Sequence, residues 1–149
     1  MRFFFQFATR GRPRQFNQAM LAYTAALTNH HQYHFNIVMD EDDESMQTDT
    51  QREAMDVLSK KVPMSFWYAP SGKILATNSF IKPDFDILVN ITDDSRPGCI
   101  GLDALIVREF NGDHPKLLHC YDGYQMENCS NPIMNFAMYR ELGYIYNPA

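Results

Sequence analysis

The sequence predicts an α/β protein with an open, mostly parallel, twisted sheet flanked by helices. Its 149 residues are 45% hydrophobic, which is enough for one domain with a buried core. Segments typical of buried strands alternate with segments of helical periodicity, and charged loops repeatedly follow the strands. In sheets of this kind ligands bind beyond the carboxyl ends of the strands, so a site is expected in those loops.

The first half of the chain predicts three strands and three helices. RFFFQFAT is the first strand, and Pro13 begins a helix whose apolar residues recur at helical spacing to about Asn29. The following segments predict, in turn, a strand, a helix, a strand and a helix that ends before a proline: YHFNIVMD, TDTQREAMDVLSKK, PMSFWYAP and KILATNSFI.

The second half continues the alternation. DILVNI predicts a buried strand, GLDALIVREF a helix and KLLHCYDG a further strand. The segment NPIMNFAMYRELGYIYNPA predicts a strand, a short helix capped by Gly143 and a final aromatic strand. Tyr144 and Tyr146 of that tail are expected to be exposed and available as an interface, although the sequence leaves the oligomeric state open.

Composition limits the compartment and the partners. A net charge of -5 argues against nucleic acid, because a duplex-binding protein normally carries a basic face. Cys99, Cys120 and Cys129 form no CxxC pair, which favours a reducing compartment. No apolar stretch approaches the roughly 20 residues that span a bilayer, so a cytoplasmic protein without a transmembrane segment is expected.

Two adjacent aspartates, Asp93 and Asp94, follow the buried strand DILVNI. A carboxylate pair at a strand end can hold Mg²⁺ or Mn²⁺ together with a diphosphate. Aspartate is also common before Pro-Gly, where Asp94 or Ser95 would form a turn or cap the next helix. Both interpretations stay open at this point.

A cationic loop follows the first strand, with Arg10, Arg12 and Arg14 around Gly11. Gly11 permits a tight turn, and the helix that begins near Pro13 directs its first amides toward the loop, which suits a phosphate. The alternative is a solvated basic loop. The loop is not a P-loop, because the GxxxxGK[ST] spacing is absent.

Two further polar clusters are weaker candidates. In the acidic run from Asp40 to Glu44, only Asp40 is expected to face a ligand, because it ends a strand directly. The histidines His30, His31 and His34 are expected to be exposed loop residues rather than a zinc site, which needs at least three converging ligands.

The ordered set FATRGRPRQF, a strand ending at Asp40, KILATN, DILVNITDD, YDGY and GYIY resembles the GT-A-fold nucleotide-sugar glycosyltransferases. The closer similarity is to their small family-2-like members in phages and bacteria. The resemblance implies a Rossmann-like nucleotide-binding half and a single GT-A-like domain over residues 1–149. Such enzymes are usually longer, so part of the usual C-terminal portion is expected to be missing.

The resemblance also implies an activity and its residues. The chain would transfer a sugar from a nucleotide-diphosphate-sugar, with a UDP-sugar as first choice, to an unknown acceptor. Asp94, assisted by Asp93, would hold Mn²⁺ or Mg²⁺, and Asp122 of YDGY would be the catalytic base or acceptor contact. The implied donor-binding residues are Thr9, Arg10, Gly11, Arg12, Asp40, Lys73, Asn78 and Asp93.

Two alternatives remain. Because the segment after GYIY normally supplies further acidic or histidine residues, the chain would otherwise be a catalytically incomplete nucleotide- or glycan-binding module. A nucleotidyltransferase also uses an open α/β sheet and acidic metal ligands, and TRGRPR loosely fits its basic triphosphate loop.

Overall fold

The computed structural model describes residues 1–120 and 129–148. In these ranges the chain forms one six-stranded sheet with helices on both faces. The strands are β1 (Arg2–Thr9), β2 (Gln32–Asp40), β3 (Met64–Ala69), β4 (Ile87–Ile91), β5 (Leu117–Leu118) and β6 (Ile133–Asn135). The α-helices are α1 (Pro13–Ala26), α2 (Asp49–Ser59), α3 (Lys73–Asn78), α4 (Leu102–Glu109) and α5 (Phe136–Leu142).

The strand order is β3-β2-β1-β4-β6-β5. The first four strands in this order are parallel, whereas β6 runs antiparallel to both of its neighbours. The predicted fold class is therefore confirmed. Parallel pairing places the carboxyl ends of β1, β2 and β4 at one edge of the sheet, and that edge carries the candidate site.

Strand β1 is mainly apolar on both faces because the sheet is covered on both sides. Phe3, Phe5 and Phe7 are buried with the inner residues of α1, α2 and α4. The ring centroids of Phe5 and Phe35 lie 4.5 Å apart in a stacked arrangement. On the opposite face Phe4 packs in a smaller cluster beside α5. Burial of each such phenylalanine stabilises the fold by about 1.5–3 kcal/mol.

A row of polar side chains crosses the second face, and we call it the polar row: the buried amides Asn36, Gln6 and Asn90 and the partly buried Ser65, one from each of four neighbouring strands. Asn36 donates to Gln6 Oε1 at 2.8 Å and accepts from Ser65 Oγ at 2.6 Å. Gln6 in turn donates to the carbonyl of Ser79 at 3.0 Å. The polar row therefore satisfies its own groups and ties the end of α3 to the sheet.

Helix α3 is shorter than the prediction, which extended it to Ile81. Its last residue is Asn78, and the next residue has extended backbone angles, so the chain leaves the helix there. Phe80 follows with a φ of 58° and stacks on Trp67, with ring centroids 4.8 Å apart. This aromatic contact outweighs the helical propensity of the segment.

The predicted final aromatic strand is wrong for the described tail residues 144–148, which contain no strand. Instead, the backbone of these residues forms hydrogen bonds with the side-chain amide of Asn78. Ile145 and Tyr146 donate to Asn78 Oδ1 at 2.9 and 3.1 Å, and Asn78 Nδ2 donates to the Tyr146 carbonyl at 2.7 Å. Tyr144 and Tyr146 are only partly exposed, contrary to expectation. Burial raises the pKa of Tyr146 to about 12.

Within the described ranges, none of the helices combines the length and the apolar content that crossing a bilayer requires.

Candidate functional site

The carboxyl ends of β1, β2 and β4 bring together three segments that are far apart in the chain. Thr9 ends β1, Asp40 ends β2, and Asp93 lies two residues beyond β4. Parallel pairing of these strands places the three residues at one edge of the sheet. The sequence predicted this convergence from the polar residues at the strand ends.

The first contact group joins the β1 loop to the acidic pair. Asp93 is buried, and its two carboxylate oxygens accept from Thr9 Oγ1 at 3.2 Å and from Arg12 Nη1 at 3.1 Å. Arg12 Nη1 also lies 3.8 Å from Asp94 Oδ2. Arg12 is therefore the cation that offsets the repulsion between the two adjacent carboxylates in this structure.

Asp94 has the opposite environment, since 72% of its side chain is exposed. Thr92 Oγ1 donates to Asp94 Oδ1 at 2.6 Å. This hydrogen bond, together with the nearby charges of Arg12 and Lys73, lowers the pKa of Asp94. The group is ionised at neutral pH and open to solvent.

The turn interpretation of this segment is correct in part. Ser95 N donates to the Thr92 carbonyl at 3.2 Å, and Thr92 N donates to Ser95 Oγ at 3.1 Å. Neither Asp94 nor Ser95 caps the next helix, which begins only at Leu102. The turn holds Asp93 inward and leaves Asp94 outward.

The second contact group surrounds Arg10. Its guanidinium donates to the buried Asp40 at 2.7 Å and to Asp42 at 3.0 Å, and it also contacts the hydroxyl of Ser71. The hydrogen bond with Asp40 raises the pKa of Arg10. Ser71 Oγ donates to Asp40 at 3.2 Å. These residues connect the ends of β1, β2 and β3.

A second residue of the acidic run, Asp43, is buried as Asp40 is, although the sequence singled out Asp40 alone. Its carboxylate accepts from Gly11 N at 2.7 Å and from Ser45 N and Oγ at 3.1 and 2.6 Å. Burial opposes ionisation, but these hydrogen bonds outweigh it, so the pKa of Asp43 is lowered. Gly11 has a φ of 68°, which glycine adopts without strain. Asp43 thereby fixes the loop that carries Arg10 and Arg12.

Replacing Asp43 with Ala is expected to loosen that loop. The Gly11 amide loses a hydrogen bond to a charged acceptor, so its hydrogen exchange should accelerate about 10- to 100-fold. The rate is measurable by NMR at the Gly11 amide. Asp42→Ala is the matched control, because Asp42 contacts Arg10 and does not bond Gly11. Equal acceleration in both variants would contradict the assignment.

A cleft of about 720 Å³ opens beside Asp94. Lys73 and Asp94 lie on its lining, so a cation and an anion face the same space. Asn90, Ser130 and Asn131 add polar groups. The apolar part of the lining comes from Tyr23, Val89, Ile91, Leu102 and Ile133.

The remaining predicted residues are not brought into these contacts. Asn78 is not part of the cleft lining, and its amide is engaged by the tail. Asp122 lies outside the described residues. His34 is in β2 rather than in a loop, and its Nε2 is 2.9 Å from Ser65 Oγ. Burial lowers the pKa of His34. The prediction that His34 is an exposed loop residue is therefore wrong.

The donor set suits a metal that shares its coordination with a ligand. Among residues 1–120 and 129–148, no three His, Cys, Asp or Glu side chains form a metal-binding group. Mg²⁺ and Mn²⁺ are commonly held by one or two carboxylates, with phosphate oxygens and water completing the shell. Asp94 offers such a carboxylate, whereas both oxygens of Asp93 already accept hydrogen bonds. The chemistry of the residues present fits the ion.

The architecture is that of a GT-A-like, Rossmann-like fold. A mannosyltransferase from Pyrobaculum calidifontis, solved with GDP-Man and Mn²⁺, superposes with a TM-score of 0.70 at 12% identity. The match covers 96% of this chain and 46% of the mannosyltransferase, so the chain spans about half of that protein.

A second solved structure with a similar fold is 4-diphosphocytidyl-2C-methyl-D-erythritol synthase from Anaerococcus prevotii. The TM-score is 0.56 at 10% identity, over 99% of this chain and 77% of the synthase. No protein-family model and no curated protein matches the chain. Identities this low show a shared fold only.

Proposed function

We propose that the chain is the donor-binding domain of a metal-dependent glycosyltransferase that uses a nucleotide-diphosphate-sugar, with a UDP-sugar as first choice. The observation that carries the proposal is the contrast between two adjacent aspartates: Asp93 is buried and both of its carboxylate oxygens accept hydrogen bonds, whereas Asp94 is exposed and ionised on the lining of the cleft. The carboxylate of Asp93 is held by the protein, and the carboxylate of Asp94 remains available to bind a metal ion.

Different residues would bind different parts of the donor. Arg12 and Lys73 would face the diphosphate, since both lie close enough to Asp94 to lower its pKa. The Arg10–Asp40 pair would lie toward the base, where Asp40 can accept a hydrogen bond from a ribose hydroxyl or an imide N–H. Asp93, positioned by Thr9, would lie toward the ribose.

Mn²⁺ or Mg²⁺ bound through Asp94 would neutralise the charge that develops on the departing diphosphate. The cleft next to Asp94 would hold the sugar and the acceptor hydroxyl. An inverting transfer also needs a carboxylate that removes the proton of that hydroxyl, and Asp122 is our proposal for this base. A cytoplasmic location and a single domain over residues 1–149 belong to the same proposal.

A nucleotidyltransferase is the second candidate, supported by the fold similarity to the synthase and by the cationic loop before α1. The two reactions release different products. A glycosyltransferase releases a nucleoside diphosphate from a sugar nucleotide, whereas a nucleotidyltransferase releases pyrophosphate from a nucleoside triphosphate and a phosphorylated substrate.

Both products should therefore be measured on the same protein with Mn²⁺ present. We expect nucleoside diphosphate release from at least one member of a sugar-nucleotide panel, UDP-sugars first, with a panel of acceptors. Arg12→Ala should reduce the rate at least about tenfold, because the charge beside the acidic pair is lost. Arg14→Ala, exposed on the same helix start, should leave the rate near wild type. Pyrophosphate release alone would favour the second candidate, and binding without turnover would favour an incomplete module.

A further inference from the structure

Strand β3 is an edge of the sheet, and half of its backbone groups have no partner among the described residues. Evenly spaced parallel hydrogen bonds to β2 use Ser65, Trp67 and Ala69. Two hydrogen bonds show which alternate residues of β3 face β2: the carbonyl of Pro63 accepts from Phe35 N, and the carbonyl of Ala69 accepts from Glu41 N. The N–H and C=O groups of Met64, Phe66 and Tyr68 therefore point away from the sheet.

The side chains of this edge are apolar and only partly covered. Met64, Phe66 and Trp67 are half-buried, and Tyr68 is 44% exposed. Pro63 and Pro70 flank the strand, and proline cannot donate a backbone hydrogen bond. Any added strand would therefore pair with the segment between these two prolines.

The two ends of β3 carry opposite charges. Lys60 and Lys61 precede the strand, and both are exposed. Lys60 is paired with Asp56 at 2.6 Å, so the charge available at this end is that of Lys61. At the other end Glu41 N donates to the carbonyl of Ala69, which places the exposed Glu41 beside the end of β3. Within the described ranges, neither Lys61 nor Glu41 forms a side-chain ion pair. If a second copy of the chain paired antiparallel with this edge, the end of β3 that carries Lys61 in each copy would lie opposite the end that carries Glu41 in the other.

We infer that two copies of this chain associate through β3, antiparallel and about a two-fold axis at Phe66. Phe66 then faces its own symmetry copy, and Met64 faces the second copy's Tyr68. This alignment uses all three outward-facing residues and forms about six hydrogen bonds between the copies. The two sheets become one continuous sheet. The pairing does not depend on sugar transfer, because the β3 edge lies outside the cleft.

The association is expected to be weak, because one short strand pair buries less surface than a standard interface. Sedimentation velocity over about 1–500 µM protein should show a concentration-dependent monomer–dimer equilibrium. Lys61→Glu or Glu41→Lys should each raise the dimer dissociation constant about tenfold, because two like-charge contacts replace two attractive ones. The double charge-swap variant should restore wild-type association. Arg108→Glu on α4 is the matched control and should change nothing.

Tyr68→Pro provides an independent test. It removes an outward N–H without touching the hydrogen bonds to β2, so circular dichroism should show an intact fold while the dissociation constant rises at least about tenfold. A chain that is monomeric up to about 500 µM would overturn the inference. A dimer that is insensitive to these substitutions would also overturn it, since another surface would then be responsible.

Discussion

Wild-type protein is expected to bind UDP roughly 10- to 100-fold more tightly with Mn²⁺ than without it, and Asp94→Asn should abolish that difference. The carboxylate of Asp94 is exposed and ionised, and it lies beside the cleft in which the diphosphate would sit. Asparagine keeps the size of the side chain and removes the charge that attracts the ion. Calorimetric titration of both proteins, with and without Mn²⁺, measures the effect directly.

The control for this experiment is Asp84→Asn. Asp84 is also exposed and pairs with Arg2, but it is not part of the cleft lining. It should keep the full metal dependence. Wild-type binding that is indifferent to Mn²⁺ would contradict the metal assignment while leaving nucleotide binding in place. Failure to bind any nucleoside diphosphate would instead contradict the proposed donor site.

Asp103→Asn is expected to lower the free energy of unfolding by about 3 kcal/mol, or the melting temperature by roughly 10 °C. Asp103 is fully buried at the start of α4. Its carboxylate accepts from Thr28 N and Oγ1 at 3.1 and 2.6 Å and from the Tyr33 hydroxyl at 2.6 Å. The amide of asparagine cannot accept all three bonds.

The same carboxylate gives stability a defined pH dependence. Burial would raise the pKa of Asp103, but the hydrogen bonds from Thr28 and Tyr33 outweigh it and lower the pKa below its ordinary 3.8. Its stabilisation is therefore complete above pH 3.8 and is lost as the pH falls through the folded-state pKa. Urea denaturation from pH 7 to pH 2 should show the gap between wild type and Asp103→Asn closing in that range. The exposed Asp113→Asn should show no such gap, and a gap that is constant with pH would contradict this account.

The alternation of strands and helices was sufficient to predict most of the fold. The four parallel strands carry long apolar runs, and these patterns are local. The sequence did not predict how short β5 is, nor that the tail lacks a strand. The tail depends on the amide of Asn78, 67 and 68 residues earlier in the chain, which takes the hydrogen bonds that another strand would have used.

The sequence could predict those residues of the candidate site that lie there because they follow the end of a parallel strand. Asp40 and Asp93 follow from the rule that parallel strands share their carboxyl edge, whereas Thr9 was implied only by the family resemblance. The sequence alone could not assign roles among neighbouring acids, because Asp42 and Asp43 differ only in the direction of their side chains. A local signal existed for Asp43, since an aspartate two residues before Ser45 is typical of a side-chain turn.

The polar row also bears on how the strands find their alignment. Both faces of β1 are mainly apolar, so sliding it by one residue would exchange one set of phenylalanines for another at little cost in buried surface. The same slide would move Gln6 among the rings of the larger core and separate it from Asn36, leaving unpaired amides at roughly 1–3 kcal/mol each. The four residues thus penalise the misaligned sheets that the hydrophobic pattern alone tolerates, and they select one pairing during folding.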